Sequence, residues 1–249
     1  MTLFRDPTHY SENSAVQKSE AGYLIDKADI NFVSKKLLDV GSGDGKLSAL
    51  MSNMGAEVTG IDISENMVNF STKKYPRCRF FQGDAQDLIK HKNNYNIITS
   101  FNCLHWVSDI EQALHGIKEK LEKDGIFLGL IYPRCVGLWD AADWCENLSE
   151  HRISSKSFVN PYYFRTRLDM EMLLTRVGFT NIKLWEEERQ ATFQTKEEFK
   201  GYIMGWLPHY HHYGQSFIEP WLNKYMELTD QMTKKEVIME YKTIFFIAS

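Results

Sequence analysis

Cysteine is scarce in this chain: four residues in 249 (Cys78, Cys103, Cys135 and Cys145), none in a Cys-x-x-Cys pair. That excludes the usual zinc frameworks and predicts reduced thiols rather than disulfides. No apolar run approaches the roughly 20 residues that cross a bilayer. The N-terminus is polar and lacks the apolar stretch of a signal peptide, so the expectation is a cytoplasmic protein with no membrane partner. Positive charge is not in excess either. Lys and Arg number 29 against 33 Asp and Glu, a net charge of −4, which argues against a broad nucleic-acid-binding face. Proline is limited to six positions, and there is no repeat, low-complexity segment or obvious linker. What remains is ample core material, 43% hydrophobic and 13% aromatic. That is enough for one large α/β domain, or a domain with a small cap.

The most informative segment is Leu37-Leu-Asp-Val-Gly-Ser-Gly-Asp-Gly45, followed by the run Ala56–Ile61 and Asp62, 23 residues past Asp39. A strand ending in a glycine loop, then a strand ending in a carboxylate, is a layout for a ribose-bearing ligand. A dinucleotide fingerprint would need Gly or Ala at position 46, where Lys46 stands. A phosphate P-loop is not supplied by residues 41–48. Asp39 beside the loop would repel a pyrophosphate. S-adenosylmethionine has no phosphate. Its ammonium would be drawn to Asp39, and its carboxylate could meet the N–H groups of Gly41–Gly45 and the next helix N-terminus. Asp62 can accept from both ribose hydroxyls.

Along the chain, residues 1–17 read as irregular and a helix is predicted from Val16 to Ile30. Strands are predicted at Leu37–Val40, Glu57–Ile61, Arg79–Gln82, Tyr95–Phe101 and Ile126–Tyr132. Helices are predicted at Lys46–Met54, Glu65–Lys74 with Ser64 as N-cap, and Ile110–Leu121 before a Lys123-Asp124-Gly125 turn. The alternation implies a parallel sheet. After Pro133 it breaks. A helix at Met170–Val177, a strand at Thr180–Glu186, mainly helix over Glu197–Leu228 and a short strand Ile244–Ile247 follow. The expected fold is α/β: a Rossmann-like, seven-stranded, mostly parallel sheet flanked by helices. It forms a single domain over 1–249, with residues 134–165 and 195–228 as a helical substrate cap.

Further ligand contacts are expected at strand ends. Asp84 could accept from an adenine amino group, with the backbone of Ala85 serving the ring nitrogen. Met67 could pack on the adenine face or in the core, and Ile63 adjoins Asp62. Phe101-Asn-Cys-Leu-His-Trp106 should run close to the reactive group.

Residues 37–131 resemble the class I S-adenosylmethionine-dependent methyltransferases. The resemblance is carried by Asp39–Gly45, Gly60-Ile-Asp62-Ile-Ser, Gly83-Asp84-Ala85 and Cys103-Leu-His-Trp106-Val-Ser-Asp109. The Leu-His-Trp piece is similar to the branch of trans-aconitate, malonyl-carrier-protein and juvenile hormone acid methyltransferases, which make methyl esters. Asn13–Lys18 is similar to the start of the juvenile hormone enzymes. Gly205-Trp-Leu207 and Ile244–Ile247 are similar to the trans-aconitate group. The resemblance implies S-adenosyl-L-methionine as cofactor and S-adenosyl-L-homocysteine as product. It implies Asp39, Gly41 and Gly43 at the methionyl end, Asp62 at the ribose, and Asp84 and Ala85 at the adenine. It also implies that Gln17 and Trp106 hold the substrate carboxylate.

The predicted activity is carboxyl O-methylation of a small or apolar carboxylic acid. A carboxylate is already ionised at pH 7, so no general base and no triad are needed. Gln17, His105 and Trp106 would position the acceptor oxygen in a dry pocket. Two alternatives stand beside it. One is methylation of a hydroxyl or a ring carbon in a quinone or natural product, with His105 as base. The other is a non-catalytic S-adenosylmethionine-binding protein. A substrate with several carboxylates would want cations, and Arg134, Arg152, Arg165, Arg167 and the cluster His209-Tyr-His-His212 are the candidates. No Cys or acidic residue accompanies that His cluster, and no metal is expected.

Overall fold

The computed structural model describes residues 7–90, 92–151 and 157–249. The expected residues 1–6 and Arg152 lie outside the described residues. A seven-stranded sheet has the order β3-β2-β1-β4-β5-β7-β6. The strands are β1 (Lys36–Val40), β2 (Glu57–Asp62), β3 (Arg79–Gln82), β4 (Tyr95–Phe101), β5 (Leu121–Ile131), β6 (Lys183–Phe193) and β7 (Val237–Ala248). Pairing is parallel from β3 to β5, and β7 runs antiparallel to both β5 and β6.

Burial on both faces explains the central strands. Leu37, Leu38 and Val40 are 0% exposed, as apolar parallel strands covered by helices should be. One face packs Leu37, Ile97 and Phe245 under α2 (Ala15–Ala28) and α3 (Lys46–Asn53). The other packs Leu38, Ile98 and Phe127 under α5 (Ile110–Lys120) and α7 (Arg167–Val177). α4 (Glu65–Lys74) begins at Ser64, whose hydroxyl accepts from Met67 N as predicted. α7 carries a full capping box between Thr166 and Asp169 and stops at Gly178 in the left-handed region. On β5, Gly129 pairs with Phe246, and any Cβ there would meet the Phe246 ring at 2.2 Å.

A third core gathers α6 (Val136–Glu146), α8 (Lys196–Met204), α9 (Pro208–Tyr213), α10 (Gln215–Leu228) and the first half of β7. Trp221 is fully buried at its centre, and its indole N–H donates to Leu138 O at 3.0 Å. Truncating such a residue to Ala costs about 3–5 kcal/mol.

Several boundaries differ from expectation. Residues 7–12 form a short helix, α1 (Pro7–Glu12), where the polar sequence reads as irregular. The predicted Lys123–Gly125 turn lies inside β5, which starts at Leu121, with a register shift opposite Tyr95–Ile97. Residues 136–146, inside the expected helical cap, form α6. β6 and β7 are far longer than the predicted Thr180–Glu186 and Ile244–Ile247. The outer half of β7 alternates buried with exposed residues and β6 alternates half-buried with exposed ones, so Glu188, Glu240 and Lys242 interrupt the apolar runs without ending the strands.

Candidate active site

The sheet order reverses between β1 and β4, and open α/β sheets bind ligands at this point, beyond the strand C-termini. Two loops meet there: Gly41–Gly45 after β1 and Asn102–Trp106 after β4. Gly41 has φ +76, and a Cβ on it would meet Cys103 Cβ and Sγ at 2.4 Å. The loop therefore closes against its neighbour only because residue 41 has no side chain.

Two adjoining cavities open at this junction. The first has an empty volume of about 370 Å³ and is bounded by Gly41–Asp44, Lys46, Phe101 and Lys18. The second has an empty volume of about 550 Å³, and its walls are largely aromatic, including Trp106, Tyr132, Trp139, Tyr162 and Trp206. Tyr10, Gln17 and Asn102 line both and form the boundary between them.

The first cavity tests the sequence-predicted cofactor contacts. Asp62 is half-buried behind the loop and does not line the cavity, with Oδ2 accepting from N of the lining residue Gly43 at 2.9 Å and Oδ1 from Ser64 N at 2.8 Å. Burial raises its pKa, and these two donors oppose the rise. Gly41, Gly43 and Phe101 line the cavity. Asp39 does not. It is 2% exposed, and its oxygens accept from Ser48 Oγ at 2.5 Å and Thr99 Oγ1 at 3.0 Å. Direct contact with a ligand ammonium, as expected, gives way to a buried charge behind the loop that ties β1 to α3 and β4. Burial pushes this carboxyl up to about 6, with the Asp62 and Asp44 charges adding to the rise.

The adenine-end residues lie beyond the second and third strands. Ile63 is 65% exposed, an unusual position for an isoleucine, and offers an open apolar surface next to Asp62. Met67 is 2% exposed, so of the two readings for it the core one holds. Asp84 Oδ1 accepts from Gln86 N at 2.9 Å, and Ala85 is buried at the start of a short turn, Ala85–Lys90.

The donor set fits a cation-bearing nucleoside better than a nucleotide. Three carboxylates, Asp39, Asp44 and Asp62, act together on this loop: Asp62 and Asp44 both raise the Asp39 pKa. A polyphosphate would meet that charge, whereas a sulfonium and ammonium would offset it. Lys46 pairs with Asp44 at 3.5 Å, and Lys18 lines the same cavity, suited to a carboxylate.

In the second cavity, the buried polar atoms without a hydrogen-bond partner include Gln17 Oε1, Asn102 Oδ1, His105 Nδ1 and Tyr132 OH. Burying an unpaired polar group costs about 1–3 kcal/mol, so such a cluster points to a ligand. His105 is 3% exposed, stacked on Tyr162 at 4.6 Å. Burial, with help from the Arg165 charge, lowers its pKa to about 3, so it is neutral at pH 7. Trp106 meets Tyr162 edge-on at 4.8 Å. The structure thus brings Gln17, His105 and Trp106 into one cavity. It adds Tyr10, Asn102 and Tyr132, which the sequence alone did not single out. Asn102 stands at φ 60 directly after β4, a left-handed backbone that only the structure reveals.

The cationic candidates are not assembled there. Among the described residues, no Lys or Arg lines the aromatic cavity. Arg134 pairs with Asp140 at 2.6 Å and Asp143 at 2.7 Å, and Arg167 with Glu171 at 3.2 Å. Arg165 donates to Tyr163 O at 3.1 Å. His209 is 1% exposed among Trp139, Phe158 and Phe217. It does have an acidic neighbour, contrary to the sequence expectation: Glu146 Oε2 lies 3.8 Å from its Nε2, and Asp143 completes a cluster with ligand atoms within 4.8 Å. The sequence hides this because Glu146 stands 63 residues earlier.

Among the described residues, no helix is long and apolar enough to cross a membrane. Residues 38–129 match a family model described as a methyltransferase domain. Juvenile hormone acid O-methyltransferase of Bombyx mori is 26% identical over 202 residues, covering 70% of this chain and 69% of that protein. The biotin biosynthesis bifunctional protein of Cellvibrio japonicus is 26% identical over 117 residues, 47% of this chain. The chain spans only 23% of that second relative's length. Among solved structures, Haemonchus contortus phosphoethanolamine N-methyltransferase 2, in complex with phosphomonomethylethanolamine and S-adenosylhomocysteine, superposes with a TM-score of 0.63 at 16% identity. It covers 100% of this chain and 58% of that one. The shared fold, the reversal point between β1 and β4 and the match over residues 38–129 agree: the chain carries a class I S-adenosylmethionine-dependent methyltransferase domain.

Proposed function

We propose that the protein is an S-adenosylmethionine-dependent carboxyl O-methyltransferase acting on a small or apolar carboxylic acid. The observation that carries this reading is the aromatic cavity. It adjoins the glycine-loop cavity and has unpaired neutral polar atoms in its wall, and among the described residues it contains no cation. Bound S-adenosylmethionine would supply an electrophilic methyl group on a sulfonium. Asp62 and the Gly41–Gly45 loop would hold its nucleoside and methionyl ends. Gln17, at the boundary of both cavities, would orient the acceptor oxygen by donating from its side-chain NH₂. Trp106 and His105 would wall it from water, strengthening the in-line approach at about 3 Å. The described parts of residues 134–165 and 195–228 would act as the cap, a reading supported by Trp139 and Trp206 lining the cavity.

A neutral His105 favours carboxylate over hydroxyl acceptors, because a group that takes up a proton only near pH 3 is a weak base at neutral pH. The absence of Lys and Arg from the described cavity wall favours one carboxylate over several. The Bombyx mori relative is named for a carboxylic acid substrate, which supports the same choice.

The test is a panel of acids with labelled methyl donor: octanoic to dodecanoic, phenylacetic, cinnamic and a tricarboxylic acid. The expected product is a label lost in mild alkali, greatest with an apolar monoacid. An alkali-stable label would instead mark a hydroxyl or ring-carbon methyltransferase, and binding without turnover a non-catalytic cofactor-binding protein.

A further inference from the structure

Tyr132 is the first residue past β5, so it stands beside the Asn102–Trp106 loop at the same edge of the sheet. Its backbone is pinned, since Tyr162 OH donates to Tyr132 O at 2.9 Å. Its ring is wedged between His105, at 5.8 Å and 55°, and Tyr241, at 5.9 Å and 70°. Its hydroxyl is buried, lines the aromatic cavity and has no partner. A phenylalanine would fill the same space without leaving a polar atom unpaired, so the hydroxyl is free to meet a ligand or a water. Burial holds the phenol well above its ordinary pKa, so it remains a donor. The second unpaired atom across the ring pair is His105 Nδ1, on an imidazole that is also neutral.

We propose that Tyr132 binds the acceptor carboxylate: its hydroxyl and the His105 Nδ1–H form a seat of two neutral donors for one oxygen, leaving the other oxygen facing the Gln17–Asn102 boundary. This rests on the carboxyl-methylation reading. The free oxygen's lone pair forms the O–CH₃ bond as the S–CH₃ bond breaks, its electron pair going to sulfur, and no proton moves. The acceptor goes from anion to neutral ester in that step. An arginine seat would lose an ion pair as the ester forms, holding the ground state more tightly than the transition state. Two neutral donors fix the orientation while giving up less on the way.

Tyr132→Phe keeps both ring contacts and deletes only the hydroxyl. The probes are the best acid of the panel above and its methyl ester, with S-adenosylhomocysteine as the cofactor-site control. The expected result is a KM for the acid raised about 10-fold or more, as for loss of a hydrogen bond to a charged group. Affinity for the neutral ester and for S-adenosylhomocysteine should stay within about 2-fold, because neither places an anion on this seat. Equal losses for acid and ester would mean a packing role and overturn the proposal, as would an unchanged KM. The underlying functional reading is judged separately on the wild type: if it methylates no acid of the panel, that reading fails and the Tyr132 assignment falls with it.

Discussion

Asp39→Asn tests the charge buried beneath the glycine loop. The carboxyl is 2% exposed and accepts from Ser48 and Thr99, yet burial outweighs these donors and lifts its pKa from 3.8 to about 6. An acid whose pKa is higher folded than unfolded binds its proton more tightly when folded. Its contribution to stability is complete below about pH 3.8, declines as the pH rises towards 6, and is absent above that. A gap of two pKa units corresponds to on the order of 3 kcal/mol. Asparagine keeps the shape and one acceptor oxygen but cannot ionise. Urea unfolding of both proteins at pH 4 and pH 7.5 lets the other carboxylates cancel in the difference. That difference should move in favour of the variant by about 1–3 kcal/mol between the two pH values. The cofactor arm follows from the same charge. A cationic ligand near Asp39 lowers its pKa, so binding at pH 6 should release protons from the wild type and none from the variant. Buffers of different ionisation enthalpy read this out in calorimetry. A pH-independent stability difference would refute the reasoning, since the carboxylate would then carry no burial cost.

Three further outcomes are expected. Asp62→Ala should weaken S-adenosylhomocysteine binding at least about 10-fold by calorimetry, through loss of a charged acceptor for two hydroxyls; unchanged affinity would remove Asp62 from the site. Gln17→Ala and Trp106→Ala should each lower ester formation while cofactor affinity is retained, and normal turnover in either would dismiss that residue's positioning role. Glu20→Ala should lower unfolding free energy by about 1–3 kcal/mol. Glu20 is 2% exposed and accepts from Arg189 Nε at 2.9 Å and Tyr241 OH at 2.8 Å, so its removal leaves the Tyr241 hydroxyl unpaired and Arg189 held only by Glu187 at 3.2 Å. A loss under 1 kcal/mol in urea titration would mean that the pair is replaced by water.

The parallel half of the sheet was legible because its strands are apolar on both faces and end in turn residues, as at Leu37–Val40 and Tyr95–Phe101. The antiparallel half was not. β6 and β7 hide behind the charges of their solvent face, and only the eleven-pair ladder between them reveals their length. Likewise α1 has no sequence signal of its own. It is held from a distance, with Lys46 Nζ donating to Ser11 O and to Ser14 Oγ, and Lys74 Nζ to Ser11 Oγ at 3.3 Å.

The amino-acid sequence by itself determined the glycine-loop side of this protein. Asp39, Gly41, Gly43 and Asp62 form a strand-loop-helix-strand unit whose geometry is local, so its chemistry can be read in order along the chain. Only the tertiary structure decided the aromatic cavity. Gln17, Asn102, Tyr132, Trp139 and Trp206 come from five separate segments, and only packing across the sheet edge brings them into one cavity. Tertiary packing also turned Asp39 away from the glycine-loop cavity, onto Ser48 and Thr99, and paired Arg134 and Arg167 with acids outside the aromatic one. Residue type sets what a side chain can do, but which cavity it faces depends on contacts tens to hundreds of residues away.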